Sequence, residues 1–268
     1  MMKKILFPTD FSENANRAFR FAIELANLFG SQILVFHSIK IIRKTGVMVT
    51  MQDVLVKDAE KDMDKILQEN EKYLKNGASL TARIAEGDTG ASIISAAKDW
   101  EADLIVMGTQ GASGLKEIFL GSNANEVIKT SSVPVLVVPA EIAFQPVEKI
   151  VLSLDAREIG SEAILNVLRE MAKAFGAKIM IYHLEAGEED LGIDPAISSY
   201  LKGIEHSYHY ELTSYALNET INEFVRDYEA DMLCMIRRKR SFIEQLFHRS
   251  TTSKEVFHSA VPILILPE

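Results

Sequence analysis

Asp103–Pro139 reads DLIVMGTQGASGLKEIFLGSNANEVIKTSSVPVLVVP. It opens on the apolar run Leu104-Ile105-Val106-Met107 and loosens into a segment carrying Gly108, Gly111, Gly114 and Gly121. A helical pattern follows, and a second apolar run, Val135 to Val138, closes it. The order is strand, glycine-rich loop, helix, strand. A loop of this kind lets backbone N–H groups approach phosphate closely, and the helix N-terminus behind it favours negative charge. A flexible surface loop with glycines in its turns fits the same residues. The stretch by itself leaves both readings open.

Upstream, Lys3 to Pro8 is a short apolar run that stops at Pro8-Thr9-Asp10, which reads as a buried strand. Ser12 is placed as an N-cap for a helix whose apolar residues, from Ala15 to Ala26, recur at helical spacing, and Gly30 sits where a C-cap belongs. Gln32 to Ile39 reads as the second strand. Residues 40–53 show no clear period, and Val54 to Leu74 reads as a long amphipathic helix ended by Asn76-Gly77. Leu80 to Ala85 is the third strand, and Thr89 to Asp99 the next helix. Strands alternating with helices predict an open parallel sheet with helices on both faces. Ligands bind such sheets beyond the carboxyl ends of the strands, where the strand order reverses. Asp10 and the Gly108 loop both leave the carboxyl ends of their strands, so both are expected at one site.

The pattern then repeats. EKIVLSLD (148–155) echoes Lys3 to Asp10, Gly160 to Gly176 echoes the first helix, and KIMIYH (178–183) echoes QILVFH (32–37). Glu229-Ala230-Asp231 repeats Glu101-Ala102-Asp103, and Val261-Pro262 repeats Val133-Pro134, both 128 positions on. The prediction is an α/β chain of two tandem open parallel five-stranded α/β sandwich domains, 1–140 and 146–268, joined near Pro139 to Pro146. His37 to Asp103 spans 66 positions but His183 to Asp231 only 48, so a long helix is expected to be trimmed from the second copy. The terminal strands, Pro134 to Val138 and Pro262 to Leu266, end their sheets and invite edge pairing. They predict an internal pseudo-dimer, with a homodimer as a further option.

The repeat supplies an internal control. Where the first copy reads MGTQGASGLKEIFLGSNAN, the second reads MIRRKRSFIEQLFHRSTTS, and Gly108, Gly111, Gly114 and Gly121 become Ile236, Lys239, Phe242 and Arg249. Glycines needed only to build the fold would be kept in both copies. Their loss in one points to a ligand held by the other. In exchange, Arg237, Arg238, Lys239 and Arg240 crowd the second loop of an otherwise acidic half. That cluster reads as an anionic or acidic docking surface, or as salt bridges across the pair.

Residues 1–140 carry 16 basic and 17 acidic side chains and the rest 13 and 21, for a net charge of −9, which weighs against nucleic acid. No apolar run approaches the roughly 20 residues of a membrane span. A single cysteine, Cys234, fits a reducing compartment, so a cytoplasmic location is expected. Cys234 and Trp100 read as packing residues. His206 and His209, three apart in a strand, face opposite ways and make a poor metal pair.

Gly108-Thr109-Gln110-Gly111, nine residues, then Gly121-Ser122, together with Pro8-Thr9-Asp10-Phe11-Ser12 and the terminal Val-Pro-Val-Leu-Val-Val strand, resembles the universal stress protein family in its ATP-binding branch. The resemblance covers nearly the whole chain as a tandem pair. It implies an adenine nucleotide alpha hydrolase-like, Rossmann-like fold. It also implies ATP, ADP or AMP as ligand, with Mg²⁺ accompanying the nucleotide. By the same resemblance, Gly108, Thr109, Gln110, Gly111, Gly121, Ser122 and Asn123 meet phosphates and ribose. Asp10 lies near the nucleotide and reaches Mg²⁺ through water or orients the ribose. Pro8, Thr9 and the backbone at Ser38 line the adenine pocket, with Met107 as an apolar wall. The second copy departs at every motif glycine, so nucleotide binding is not carried over to it. No general base, activated nucleophile or arginine finger stands out, so a stress-response binding protein is expected before an enzyme. Slow ATP hydrolysis, phosphotransfer or self-phosphorylation stays open.

Overall fold

The structure is a computed structural model, and it describes residues 1–40, 48–109, 121–155, 157–185, 193–212, 217–238 and 260–268. The first half runs β1 (Lys4–Pro8), α1 (Glu13–Phe29), β2 (Gln32–Ile39), α2 (Met48–Glu71), β3 (Ser79–Glu86), α3 (Thr89–Asp99), β4 (Leu104–Gly108), α4 (Ser122–Thr130) and β5 (Val135–Val138). The second runs β6 (Lys149–Leu154), a 3₁₀ turn (Glu162–Leu165), α5 (Asn166–Phe175), β7 (Lys178–Glu185), α6 (Ile197–Tyr200), β8 (His206–Leu212), α7 (Leu217–Asp227), β9 (Met232–Arg237) and β10 (Ile263–Pro267). The strands form one ten-stranded sheet in the order β3-β2-β1-β4-β5-β10-β9-β6-β7-β8. Within each half every pairing is parallel, and the strand order reverses between β1 and β4 and again between β6 and β9.

The halves meet through β5 and β10. These pair antiparallel, Val137 opposite Ile263, Leu136 opposite Leu264 and Val135 opposite Ile265, and all six side chains are buried. Edge pairing of the terminal strands therefore occurs inside the chain, as the internal pseudo-dimer predicted.

Local chemistry explains why the elements start and stop where they do. The Ser12 hydroxyl accepts from Ala15 N (3.2 Å) to cap α1, and Gly30 ends it in the left-handed region at φ 64°. A Cβ at Gly30 would lie 3.0 Å from the carbonyl of Asn76, so glycine is needed there twice over. The repeated Glu-Ala-Asp is a fastener. The Asp103 carboxylate accepts from Lys3 N (2.7 Å) and Lys4 N (2.9 Å), and Asp231 does the same for Glu148 N (2.8 Å) and Lys149 N (2.9 Å). Each aspartate satisfies orphan donors at the start of its half's first strand. His37 and His183 also share a role, each donating Nδ1–H to a carbonyl at the end of that strand, Thr9 O just past β1 at 2.8 Å and Leu154 O, the last residue of β6, at 3.3 Å.

Two elements differ from expectation. α2 begins at Met48 instead of Val54, because the backbone helix propagates through residues 48–53, which carry neither Gly nor Pro and no face period. It ends at Glu71 because the chain tightens into i→i−3 bonds, Tyr73 N to Asn70 O and Leu74 N to Glu71 O. In the second half the described residues between β7 and β8 hold only the four-residue α6, as the shorter spacing implied.

Alternation along the strands divides the core into two layers. Ile5 and Phe7 join α1, α2 and α5 on one face, while Leu6 joins α3, α4 and α7 on the other. Both layers run unbroken from one half to the other. Phe144, in the connection, lies edge-on to Phe21 (4.9 Å) and near Phe175 (6.2 Å) of the opposite half. Because packing is continuous across the seam, Leu264→Ala is expected to lose about 2–5 kcal/mol and to unfold in one transition. Urea denaturation followed by circular dichroism checks this, and an unchanged midpoint would contradict it.

Candidate functional site

A cavity of about 330 Å³ opens at the carboxyl ends of β1 and β4, where the strand order reverses. Of the residues singled out from the sequence, Pro8, Thr9, Asp10, Ser38, Met107, Gly108, Thr109, Gly121, Ser122 and Asn123 all line it. Gln110 and Gly111 lie outside the described residues. Ala15, Phe36, Thr89, Ile93 and Ala124 also line the cavity and were not anticipated. Phe36 shares a strand face with Ser38 two residues on, Ala15, Thr89 and Ala124 sit in the first turns of α1, α3 and α4, and Ile93 lies one turn further along α3, on helix faces that only the folded sheet shows to meet the cavity.

The turn after β1 is held by its own side chains. Thr9 N donates to Phe36 O (2.8 Å), Thr9 Oγ1 accepts from Phe11 N (3.0 Å), and Asp10 Oδ1 accepts from Ser12 N (3.1 Å). Phe11 takes a left-handed φ of 62° to make the turn. On the far side, Ser38 Oγ lies 3.4 Å from both Gly87 O and Thr89 Oγ1. Phe36, Ile93 and Met107 are buried and give that end an apolar wall.

At the other end the glycine-rich loop leaves and returns at one point. Thr109 N donates to Val138 O (3.2 Å), and Gly121 N donates to Thr109 O (2.7 Å). Gly121 is the N-cap of α4 and offers no side-chain acceptor. The first backbone bond of the helix is Asn125 N to Gly121 O (2.9 Å), so the N–H groups of Ser122, Asn123 and Ala124 precede any intrahelical acceptor at the cavity edge. Thr109 Oγ1 and Asn125 Oδ1 are buried with no hydrogen-bond partner among the described residues. Among the described lining residues Asp10 carries the one charge. One end is therefore apolar and the other is rich in N–H donors and helix dipole, with a carboxylate beside it.

The second half resolves the same position differently. Asp155 stands where Asp10 does, and Arg238 stands where Gln110 does. The Arg238 guanidinium is 4% exposed. It pairs with the Asp155 carboxylate, donates to Glu268 Oε1 (3.0 Å), and caps the carbonyls of Arg157 (3.0 Å) and Glu158 (2.8 Å). Built-in cations satisfy this aspartate, the buried Arg238 and the half-exposed Arg157, whose Nε donates to Asp155 Oδ2 (3.0 Å). Arg237 turns the other way, donating to Ile128 O (3.0 Å) and Ser131 O (2.6 Å) in the first half, and burial lowers its pKa. Of the four basic residues read as a docking surface or as salt bridges, Arg237 and Arg238 are engaged within the chain, with partners 30 to 109 positions away, where charge runs in sequence do not show them. Lys239 and Arg240 lie outside the described residues.

Other candidates are structural. Cys234 is fully buried, and burial pushes its thiol pKa up, which keeps it protonated. His209 accepts from or donates to Ser207 Oγ (2.9 Å) and lies edge-on to Phe224 and Tyr228, while His206 Nδ1 donates to Ile204 O (2.8 Å). The Tyr182 hydroxyl, whose pKa is raised by burial and by its bond to Glu211 (2.6 Å), belongs to the same aromatic stack. No helix among the described residues is long and apolar enough to cross a membrane.

The fold and the site define a tandem, doubly wound α/β protein with a cavity in its first half at the crevice where the strand order reverses. Residues 1–139 and 163–267 match the model of the universal stress protein family, and the chain belongs to that family. It is 33% identical over 154 residues to universal stress protein MJ0577 of Methanocaldococcus jannaschii, covering 52% of this chain and 95% of the relative. It is 32% identical over 143 residues to MJ0531 of the same organism, covering 52% and 82%. Over its whole length it shares its fold with a universal stress protein from Archaeoglobus fulgidus, with a TM-score of 0.73, 22% identity, and 99% and 96% of the two chains covered.

Removing Arg238 leaves the mostly enclosed Asp155 carboxylate paired only with the half-exposed Arg157, and leaves Glu268 and the carbonyls of Arg157 and Glu158 without their donor. Arg238→Ala is expected to lower stability by about 1–3 kcal/mol, and Arg238→Lys to recover only part, because an ammonium lacks the planar fork that serves four partners. Equilibrium denaturation of the two variants checks the order.

Proposed function

We propose that the first half binds an adenine nucleotide (ATP, ADP or AMP) and that the chain acts as a nucleotide-responsive binding protein in a stress response. The observation that carries this reading is the pairing, within one cavity, of an apolar slot with a cluster of helix N-terminal N–H groups. The slot of Phe36, Ile93 and Met107, with the Ser38 and Thr89 hydroxyls at its rim, has the chemistry to take a planar base. Gly108, Thr109, Gly121, Ser122 and Asn123 offer backbone and hydroxyl donors to phosphates, and Gln110 and Gly111 join them in the motif. The Thr109 hydroxyl, buried without a hydrogen-bond partner among the described residues, supports a polar ligand at this end.

No described lining residue is cationic, and Asp10 adds a negative charge, so a metal ion among the phosphates would offset their repulsion from Asp10. Mg²⁺ would supply that neutralising charge when bound. Asp10, already fixed by its bond to Ser12 N, would orient the waters of such an ion. The residues bind and orient, and none is placed as a general base, so binding without fast turnover is the reading that fits. In this proposal the unit 1–140 holds the ligand, and the unit 146–268, with its aspartate already neutralised, supports it.

Calorimetric titration with ATP in Mg²⁺ tests the proposal. Wild type is expected to bind. Gly121→Arg, which places a long side chain at the mouth of the cavity without backbone strain (φ −56°), is expected to weaken binding by at least roughly tenfold, or about 1.4 kcal/mol. Asp10→Asn is expected to reduce the gain in affinity that Mg²⁺ provides. No binding to wild type, or undiminished binding to Gly121→Arg, would overturn it.

A further inference from the structure

Arg237 makes its two side-chain bonds in the opposite half. It is the last residue of β9, paired beside Pro267 of β10, and β10 pairs with β5. Across that seam its Nη1 and Nη2 donate to Ile128 O (3.0 Å) and Ser131 O (2.6 Å). Ile128 lies in the last turn of α4 and Ser131 is its C-cap, so these carbonyls are among those a helix end leaves without intrahelical donors. Both bonds are charge-assisted and partly buried, the setting in which a cation at a helix C-terminus is most effective.

The opposite end of α4 forms the donor edge of the cavity, with Ser122, Asn123 and Ala124 in its lining. A nine-residue helix is about 13 Å long and moves as a rod, so what fixes one end sets the other. We propose that Arg237 is a positioning residue for the first-half nucleotide site. It holds α4 from behind and thereby makes affinity in one half depend on a side chain of the other. This rests on the nucleotide reading of the cavity. By reciprocity, nucleotide at the N-terminus of α4 strengthens the contact at its C-terminus, so occupancy is transmitted across the seam into β9 and the chain that follows.

The test uses the full chain, with Arg237→Ala, Arg237→Gln and Arg237→Lys, at a temperature where denaturation curves show each variant folded. Two quantities are read: ATP affinity in Mg²⁺ by calorimetry, and amide chemical shifts of Ser122, Asn123 and Ala124 without nucleotide. Arg237→Ala and Arg237→Gln are expected to weaken ATP roughly three- to tenfold and to move those amide signals, with Arg237→Lys in between. Affinity and amide shifts equal to wild type, with only the melting temperature lowered, would make Arg237 a seam contact and overturn the proposal. If wild type itself fails to bind ATP, the nucleotide reading falls. The amide shifts then decide the positioning separately: displaced signals support it and unmoved signals refute it.

Discussion

The antiparallel pairing of β5 with β10 is the constraint on which the rest of the molecule depends. Each half ends in a strand that is apolar on both faces, Val135 to Val138 and Ile263 to Leu266, and neither could be left as a bare edge in water. Pairing them buries both and merges two five-stranded sheets into one. It also merges the cores, because the helices on each face pack on strands from both halves. Two consequences follow from the same geometry. The ends of β4 and β9 are brought to either side of the seam, and the arginine at the end of β9 falls within reach of α4.

The halves share a scaffold but answer the same electrostatic problem in opposite ways. Each carries an aspartate just past its first strand, at the crevice where strand order reverses. In the first half that carboxylate borders a cavity whose other described lining groups are N–H donors, hydroxyls and apolar side chains. In the second, Arg238 lies against the carboxylate with nearly all its donors engaged. A buried guanidinium in that position neutralises the aspartate permanently. The asymmetry thus lies in side chains at corresponding positions of one repeated framework, and Arg237 and Arg238, adjacent in sequence, serve opposite halves.

Much of this was legible in the sequence because it is local or periodic. Ser12, Gly30 and Gly176 mark helix ends by backbone chemistry that acts within a few residues, and the alternation of strands and helices, read twice, gives the sheet. The topology alone placed Asp10 and the Gly108 loop at one site, and the resemblance to the universal stress protein family supplied the other anticipated residues that line the cavity. What was not legible depends on distant partners. Arg237 and Arg238 look like a solvent-facing charge run until the fold brings Ile128, Asp155 and Glu268 to them. The first turn of α2 carries no apolar period to betray it. Thr89 and Ile93 belong to a helix read correctly, but only the folded sheet shows which of its turns faces the cavity.

The most direct measurement is a crystal structure of the full chain grown with ATP and Mg²⁺. One nucleotide per chain is expected, its phosphates against the N-terminus of α4 and its base between Phe36, Ile93 and Met107, with the Arg238–Asp155 pair intact. A nucleotide lodged beside Asp155, or one bound away from Gly121 to Ala124, would contradict it.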